Sequence, residues 1–297
     1  MAKLSPNPIS EADFQEYINS QSDFGFELSV LQMLRSEAIE CQHGGLYDDP
    51  VTGKSREFDI RANTAIGEYR VKLAIECKNI RSNYPLLVSC TPRHKSESYH
   101  FVVKLAEPEY QEHERMLRLE KSRAMPISVS NNHSIYPPEE PVGKSIAQVG
   151  RAAHNDEIVS SDGDVFDKWS QCLSSLVDLV QSLYWEHPDE ECGLALATAI
   201  PILVVPNGRL WTVQYDVEGQ LTGKPRVVDR CPCYVGKEYE VGSGDVAGRF
   251  VVSHIDLVTV DGLKNYVRSV LGSEEGIKRL FNEDALFRFL VHQRMPK

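Results

Sequence analysis

The stretch SREFDIRANTAIGEYRVKLAIECKN, residues 55–79, decides the fold of this chain. Apolar and polar residues alternate over SREFDIRAN and again over YRVKLAIECKN. A period of two is typical of β-strands with one buried face. TAIGE lies between the two runs and contains the glycine that a tight turn favours. The stretch therefore predicts a β-hairpin that presents one apolar and one polar face.

The polar face of this hairpin carries three charged groups. Asp59 lies on the polar face of the first strand, and Glu76 and Lys78 share that face of the second, because side chains alternate along a strand. With a turn centred near residues 66–67, we expect Asp59 opposite Ala74 and diagonal to Glu76. The small side chain of Ala74 leaves room beside the two carboxylates and the ammonium.

These groups are the ones that phosphodiester cleavage requires. Asp59 and Glu76 can hold Mg²⁺ or Mn²⁺, ions that prefer oxygen ligands, and the backbone carbonyl of Cys77 is a further candidate ligand. Such an ion polarises the scissile phosphate and acidifies a bound water. The ammonium of Lys78 can orient that water or neutralise developing charge. The pattern predicts a metal-dependent hydrolytic site.

A helix is predicted over FGFELSVLQMLRSEA, residues 24–38, after the N-cap candidates Ser22 and Asp23. Its broad apolar surface indicates that it packs against a sheet. Glu27 interrupts this surface, and a carboxylate there needs a partner or an ion. We therefore expect Glu27 beside the hairpin site, although a partly exposed helix residue is the alternative.

Further elements are expected along the chain. LALATAIPILVVP, residues 194–206, is predicted to be a buried strand that forms a hairpin with RLWTVQYDVEG through Asn207-Gly208. We predict four parts: an N-terminal extension (1–21), a core (22–91 and 164–260), a polar insertion or arm with loops (92–163) and C-terminal helices (261–297). Within the core, an amphipathic helix is expected in FDKWSQCLSSLVDLVQSLYW (166–185) and a strand in RFVVSHIDLVTV (249–260).

The core residues resemble the PD-(D/E)XK superfamily of restriction-endonuclease-like nucleases. FDIRA followed by AIECKN, after a helix that carries Phe-Glu, is similar to the Mrr-like branch in particular. The likeness covers roughly residues 22–90, and Phe58 stands where the motif often has proline. It implies an α/β fold with a mixed central sheet flanked by helices.

The resemblance also implies roles for individual residues. Asp59 and Glu76 would be metal ligands, Lys78 the catalytic lysine, Glu27 an accessory acid and metal ligand, and Gln171 an accessory glutamine. It implies a Mg²⁺- or Mn²⁺-dependent nuclease that prefers DNA. A restriction or anti-phage defence role in a prokaryote follows from the family alone.

The net charge of −11 gives the chain no general attraction to a polyanion such as DNA. We therefore expect a protein partner that delivers DNA, or self-association. MAKLSPNPISEADFQEY has no apolar segment typical of a secretory signal, and no uncharged run has the length of a membrane span. The seven cysteines are expected to be reduced, which favours the cytoplasm.

Several alternatives remain open on the sequence alone. Alternating charges on a strand are commonly a solvated face. The chain can also be a nuclease-fold interaction subunit with weak or no catalysis, or a nuclease that acts on RNA. Cys231-Pro232-Cys233 is a close pair of potential zinc ligands without a second pair.

Overall fold

The computed structural model describes residues 5–20, 22–106, 109–113, 116–121, 124–183, 194–241 and 248–282. Side chains are described over the same ranges except at residues 20, 106, 109–113, 116–121 and 194. Parts of the expected N-terminal extension and C-terminal helices, residues 1–4 and 283–297, lie outside these ranges. The expected α/β class with a mixed central sheet flanked by helices is confirmed.

Five α-helices are described, and a short π-helix follows the fourth. Their bounds are α1 Glu11–Ser20, α2 Phe24–Ser36, α3 Gly163–Leu183, α4 Val260–Tyr266 with the π-helix Val267–Leu271, and α5 Glu274–Phe281.

Thirteen of the strands form one large sheet, and two separate pairs lie outside it. The strands are β1 Glu40–His43, β2 Leu46–Asp48, β3 Ser55–Glu57, β4 Ile60–Ile66, β5 Tyr69–Cys77, β6 Leu86–Pro92, β7 Tyr99–Ala106, β8 Glu109–His113, β9 Met116–Lys121, β10 Met125–Ser130, β11 Pro141–Arg151, β12 Ile158–Ser161, β13 Leu194–Val205, β14 Leu210–Gln214, β15 Arg226–Val227, β16 Arg230–Val241 and β17 Gly248–Thr259. The order along the sheet is β1-β4-β5-β13-β17-β16-β11-β6-β14-β15. In addition, β7 pairs with β13, β10 pairs with β7, and β12 pairs with β11.

The predicted hairpin is confirmed as β4 and β5, but its first strand is not the continuous run expected over residues 55–63. Residues 55–57 form β3, which pairs with β2, and β4 begins only at Ile60, so Asp59 lies in the break between the two strands. Ile66 pairs with Tyr69, so the turn consists of Gly67 and Glu68. Gly67 has a φ of +57°, a conformation that glycine adopts without steric cost. The turn thus lies one residue later than expected, which changes which residues face each other on the two strands.

Helices cover both faces of the sheet around this hairpin. On one face, α2 contributes Val30, Leu31 and Leu34 to a core shared with Ile60 and Ile75. On the other face, α3 packs its apolar stripe against β5, β7 and β13. Both faces of β5 are therefore buried, although apolar and polar residues alternate along it. Glu76, which faces α3, cannot belong to a solvated strand face.

The segment 92–163 differs from the loop-rich arm that we expected. It supplies β7, β10, β11 and β12 to the main sheet, and β8 pairs with β9 as a separate hairpin. Polar residues hide the alternation that would mark these strands, and all four residues of β12 are exposed.

The hairpin expected through Asn207-Gly208 is wrong. The chain does turn there, since the Arg209 N–H donates to the Pro206 carbonyl at 3.2 Å. However, β13 pairs in parallel with β5 and β17, and β14 pairs in parallel with β6. Within the described ranges, no helix combines the length and apolar character that a bilayer span requires.

Candidate active site

Two carboxylates face each other near the end of the β4–β5 hairpin. The hairpin register ends at the pair Ile60–Ile75, and continuing it by one residue brings Asp59, just before β4, level with Glu76. The expected position of Asp59 opposite Ala74 is therefore wrong by two residues, and Ala74 pairs with Arg61 instead. Both acids are buried: Asp59 is 7% exposed and Glu76 is 0% exposed.

Lys168 from α3 lies between these carboxylates. Its ammonium donates to both oxygens of Asp59, at 2.9 and 2.7 Å, and to Oε2 of Glu76 at 3.3 Å. The Lys168 side chain is 17% exposed. Asp59 Oδ2 also accepts a hydrogen bond from the Cys77 backbone N–H at 2.8 Å. The cluster thus links α3, which carries Lys168, to β5 and to the residue just before β4.

Two contacts hold α3 across the hairpin. The Cys172 thiol donates to the carbonyl of Ala74 at 3.4 Å, which shows how closely the helix approaches β5 over that small residue. Nearer its C-terminus, Asp178 forms an ion pair with Arg61 at 2.8 Å. These contacts position Lys168 above the facing acids.

The electrostatics of the cluster favour a cation. Burial, reinforced by the charge of Asp59, raises the pKa of Glu76 well above its ordinary value, although Lys168 opposes the shift. Burial alone would lower the pKa of Lys168, but the charges of Glu76 and Asp59 outweigh it and raise that pKa. The ammonium therefore stays charged at neutral pH and neutralises part of the acidic pair.

Lys78, expected at the carboxylates, lies elsewhere. Its ammonium contacts Asp23 at 3.1 Å, and Asp23 also accepts a hydrogen bond from the Asn79 backbone N–H at 2.8 Å. The backbone of Lys78 continues the pairing with β13, donating to the carbonyl of Val204 at 2.9 Å. Thus Asp23, expected only as a helix cap, holds the lysine of the hairpin motif.

Glu27 lies close to the cluster but forms its own pair. Its carboxylate is 3.5 Å from Nε2 of His43 on β1. Burial raises the pKa of Glu27, with a further contribution from the charge of Asp59, while Lys168 and His43 act in the opposite direction. Glu27 is therefore electrostatically linked to the site without bridging to its carboxylates.

Gln171 follows Lys168 by one helical turn and binds the backbone rather than the acids. Its side-chain amide donates to the carbonyl of Glu57, two residues before Asp59. The backbone carbonyl of Gln171 accepts a hydrogen bond from the Tyr47 hydroxyl at 3.2 Å. Gln171 thus fixes the chain that leads into the site.

The sequence contained a signal for Lys168 that our prediction did not use. Lys168 is three residues after Val165 and four before Cys172, both fully buried on α3. A lysine inside such a stripe needs a charged partner. Only the packing of α3 over the hairpin shows that this partner is the Asp59–Glu76 pair.

The donor chemistry fits a hard divalent cation. Asp59 and Glu76 offer carboxylate oxygens, and Oε1 of Glu76 is buried without a hydrogen-bond partner among the described residues. Over those same residues, no three His, Cys, Asp or Glu side chains converge as a metal site. The set is thus a pair of acids already bonded to Lys168, and their carboxylate oxygens are ligands of the kind that Mg²⁺ prefers.

A cleft of about 480 Å³ is lined by residues that neighbour the site residues in the sequence. Lys78 and Asn79, which follow the strand that carries Glu76, line one part of it. Asp164, one turn before Lys168 on α3, lines another. A ligand in this cleft would therefore lie next to the elements that carry the carboxylates.

Compared with family models, with curated proteins and with solved structures, the chain matches none. The resemblance to the PD-(D/E)XK superfamily thus rests on the residues of the hairpin and α2.

Proposed function

We propose that this chain is a metal-dependent nuclease that hydrolyses phosphodiester bonds, with DNA as its preferred substrate. The observation that supports this most is the buried pair Asp59 and Glu76, which face each other with Lys168 bonded to both. Two carboxylates can hold a metal ion and an ammonium can stabilise developing negative charge, and metal-assisted phosphodiester hydrolysis uses both contributions.

Each residue of the cluster has a distinct task in this proposal. Asp59 and Glu76 would hold Mg²⁺ or Mn²⁺, and the bound ion would supply polarisation of the phosphate and acidification of water. Lys168 neutralises negative charge that develops on the phosphate, the task that the motif assigned to Lys78. Glu27, whose pKa is raised, retains a proton more readily than an exposed glutamate and is an accessory acid.

We propose a restriction-endonuclease-like core as the finer description of the fold. The supporting features are the β4–β5 hairpin with its acids, α2 with Glu27 on one face and α3 on the other. The cationic group reaches the acids from α3 rather than from the strand, a departure from the simple motif. A defence role remains an extension from the resemblance alone.

The net charge of −11 opposes DNA binding by the chain as a whole. We therefore propose that a protein partner or a second copy contributes to substrate delivery in the cytoplasm. Mg²⁺ at the carboxylates would reduce the local repulsion of phosphate, but it does not change the charge of the remaining surface.

The rival function is an interaction subunit without catalysis. It is favoured by one observation: Lys168 already compensates both carboxylates, as in a structural buried ion pair. In that case divalent ions would neither bind at the cluster nor matter to the protein, and no nucleic acid would be cut.

Cleavage assays distinguish the two functions. Supercoiled plasmid, linear DNA and RNA would be incubated with wild type in Mg²⁺, Mn²⁺ or EDTA, alone and with candidate partners. Asp59→Asn and Glu76→Gln should remove activity, whereas Asp167→Asn, an exposed neutralisation beside Lys168 on α3, should retain it. Equal background from wild type and the site variants would refute the nuclease.

A further inference from the structure

The cleft beside the site combines cations with aromatic rings. Three basic side chains, Lys78, Arg81 and Arg151, line it together with Tyr17 and Tyr84. Its other lining residues are Asn79, Asn83, Gln148, Val159 and Asp164. Asp164 is the single acid among these ten residues, so the lining is basic although the chain as a whole is acidic.

Two of these cations, Lys78 and Arg151, differ in how tightly they are held. Lys78 is held by Asp23, and its side chain is mostly buried. Arg151 contacts Asp156 at 3.2 Å, but both side chains are more than half exposed. An exposed pair of this kind contributes little and can exchange its carboxylate for a phosphate at small cost. Arg81 is also exposed.

The ring of Tyr84 is held in place by close packing. A Cβ atom at Gly150 would lie 2.5 Å from Cδ2 of Tyr84, so only glycine on β11 allows this ring position. The carbonyl of Tyr84 accepts a hydrogen bond from the Gln148 side chain at 3.2 Å. Across the lining, Tyr17 of α1 is exposed.

We infer that this cleft binds a single-stranded segment of nucleic acid, with phosphates on Arg81 and Arg151 and an unpaired base on Tyr84. Basic grooves with aromatic platforms suit single strands, because every unpaired base has a face that can stack. A duplex offers its phosphates but keeps its base faces covered. This inference rests on the proposed nuclease function, and it names the form of the substrate.

The test measures binding in EDTA, where the proposed cleavage cannot occur. Fluorescence anisotropy would follow a labelled 20-nucleotide DNA strand, the RNA of the same sequence and the corresponding DNA duplex. The single strands should bind wild type at least tenfold more tightly than the duplex. The comparison of DNA with RNA shows which sugar the cleft prefers.

Substitutions then assign the binding to the cleft. Arg81→Gln and Arg151→Gln should each weaken binding. Each should also reduce the magnitude of the slope of log K against log [salt] by about 0.7. Tyr84→Ala should weaken single-strand binding about tenfold without a change in that slope. Lys224→Gln removes a charge from an exposed residue outside the cleft lining and should leave binding unchanged. Thermal unfolding verifies that each variant folds.

The inference fails if wild type binds no single strand, if duplex binds as tightly, or if the cleft variants behave like Lys224→Gln. Its failure is separable from that of the nuclease. Binding through the cleft without cleavage in Mg²⁺ refutes only the nuclease. Cleavage in Mg²⁺ by a protein whose binding ignores Arg81, Arg151 and Tyr84 refutes only the cleft.

Discussion

The ammonium of Lys168 lies 2.7 Å from Oδ2 of Asp59, although the two residues are 109 positions apart in the chain. This bond fastens α3 to the hairpin at the point where Asp59 faces Glu76. Because all three groups are largely buried, removal of Lys168 leaves two buried acids without a compensating cation. The same contact therefore affects both the stability of the fold and the chemistry of the site.

Lys168→Met should lower the free energy of unfolding by about 3–5 kcal/mol in EDTA, the range for breaking a buried ion pair from one side. Urea unfolding at neutral pH measures this change. Lys224→Met, at an exposed lysine, is the control and should alter stability by less than about 0.5 kcal/mol. Equal effects of the two substitutions would mean that the Lys168 contacts contribute nothing.

The two lysines near the site should differ in their effect on cleavage. Lys168→Ala is expected to lower the rate about 10²- to 10³-fold, because it removes the charge that stabilises the transition state. Lys78→Ala should lower the rate less than about tenfold, since its ammonium is paired with Asp23. Initial rates on circular single-stranded DNA at saturating Mg²⁺ measure both. The reverse order would assign the catalytic role to the hairpin lysine.

Glu27→Gln should stabilise the protein at pH 7 and make no difference below pH 4.5. Burial and the charge of Asp59 raise the pKa of Glu27 above its ordinary value of 4.5. Its contribution to stability is thus complete below 4.5 and is lost as the pH rises through the raised pKa. Urea unfolding across this range measures the difference, with the exposed Glu218→Gln as control. A stability gain that is the same at all pH values contradicts this assignment.

His100 should make the fold sensitive to acid. It is buried between Ser134 and the Leu280 carbonyl of α5, and burial lowers its pKa from 6.5 to about 4. The stability from neutral His100 is complete above 6.5 and falls as the pH drops towards 4, by roughly 3 kcal/mol.

His100→Gln removes this titration. The difference between wild type and variant in unfolding free energy should therefore shrink by about 3 kcal/mol from pH 6.5 to pH 4. His154→Gln, at an exposed histidine, should follow wild type at every pH. Parallel curves for wild type and His100→Gln would show that His100 titrates alike in the folded and unfolded chain.

The hairpin and α2 were predictable because their signals are local. Alternation predicted β4 and β5, although not the break at residues 58–59 that separates β3 from β4, and parity brought Asp59 and Glu76 to one side. The turn was expected at residues 66–67 and lies at residues 67–68. A shift of the turn by one residue changes the cross-strand partner by two, so Asp59 was expected opposite Ala74 instead of Glu76. The acids were therefore identified, but their direct opposition was not.

Long-range packing could not be derived in the same way. Lys168 reaches the acids because α3 crosses β5 at Ala74, and no local pattern encodes that crossing. Parallel pairing of β13 with β5 and β17 likewise overrode the local turn signal at Asn207-Gly208. In residues 92–163, polar residues on edge and half-exposed strands hid the alternation that marks a sheet.

Cleavage of circular single-stranded DNA and of supercoiled plasmid by wild type and Glu76→Gln, each in Mg²⁺ and in EDTA, tests the central claim most directly. The account predicts cut product from wild type in Mg²⁺ alone, faster on the single strand, and none from the variant or in EDTA. Product that is equal in wild type and Glu76→Gln, or unaffected by EDTA, would contradict a metal-dependent nuclease site at Asp59, Glu76 and Lys168.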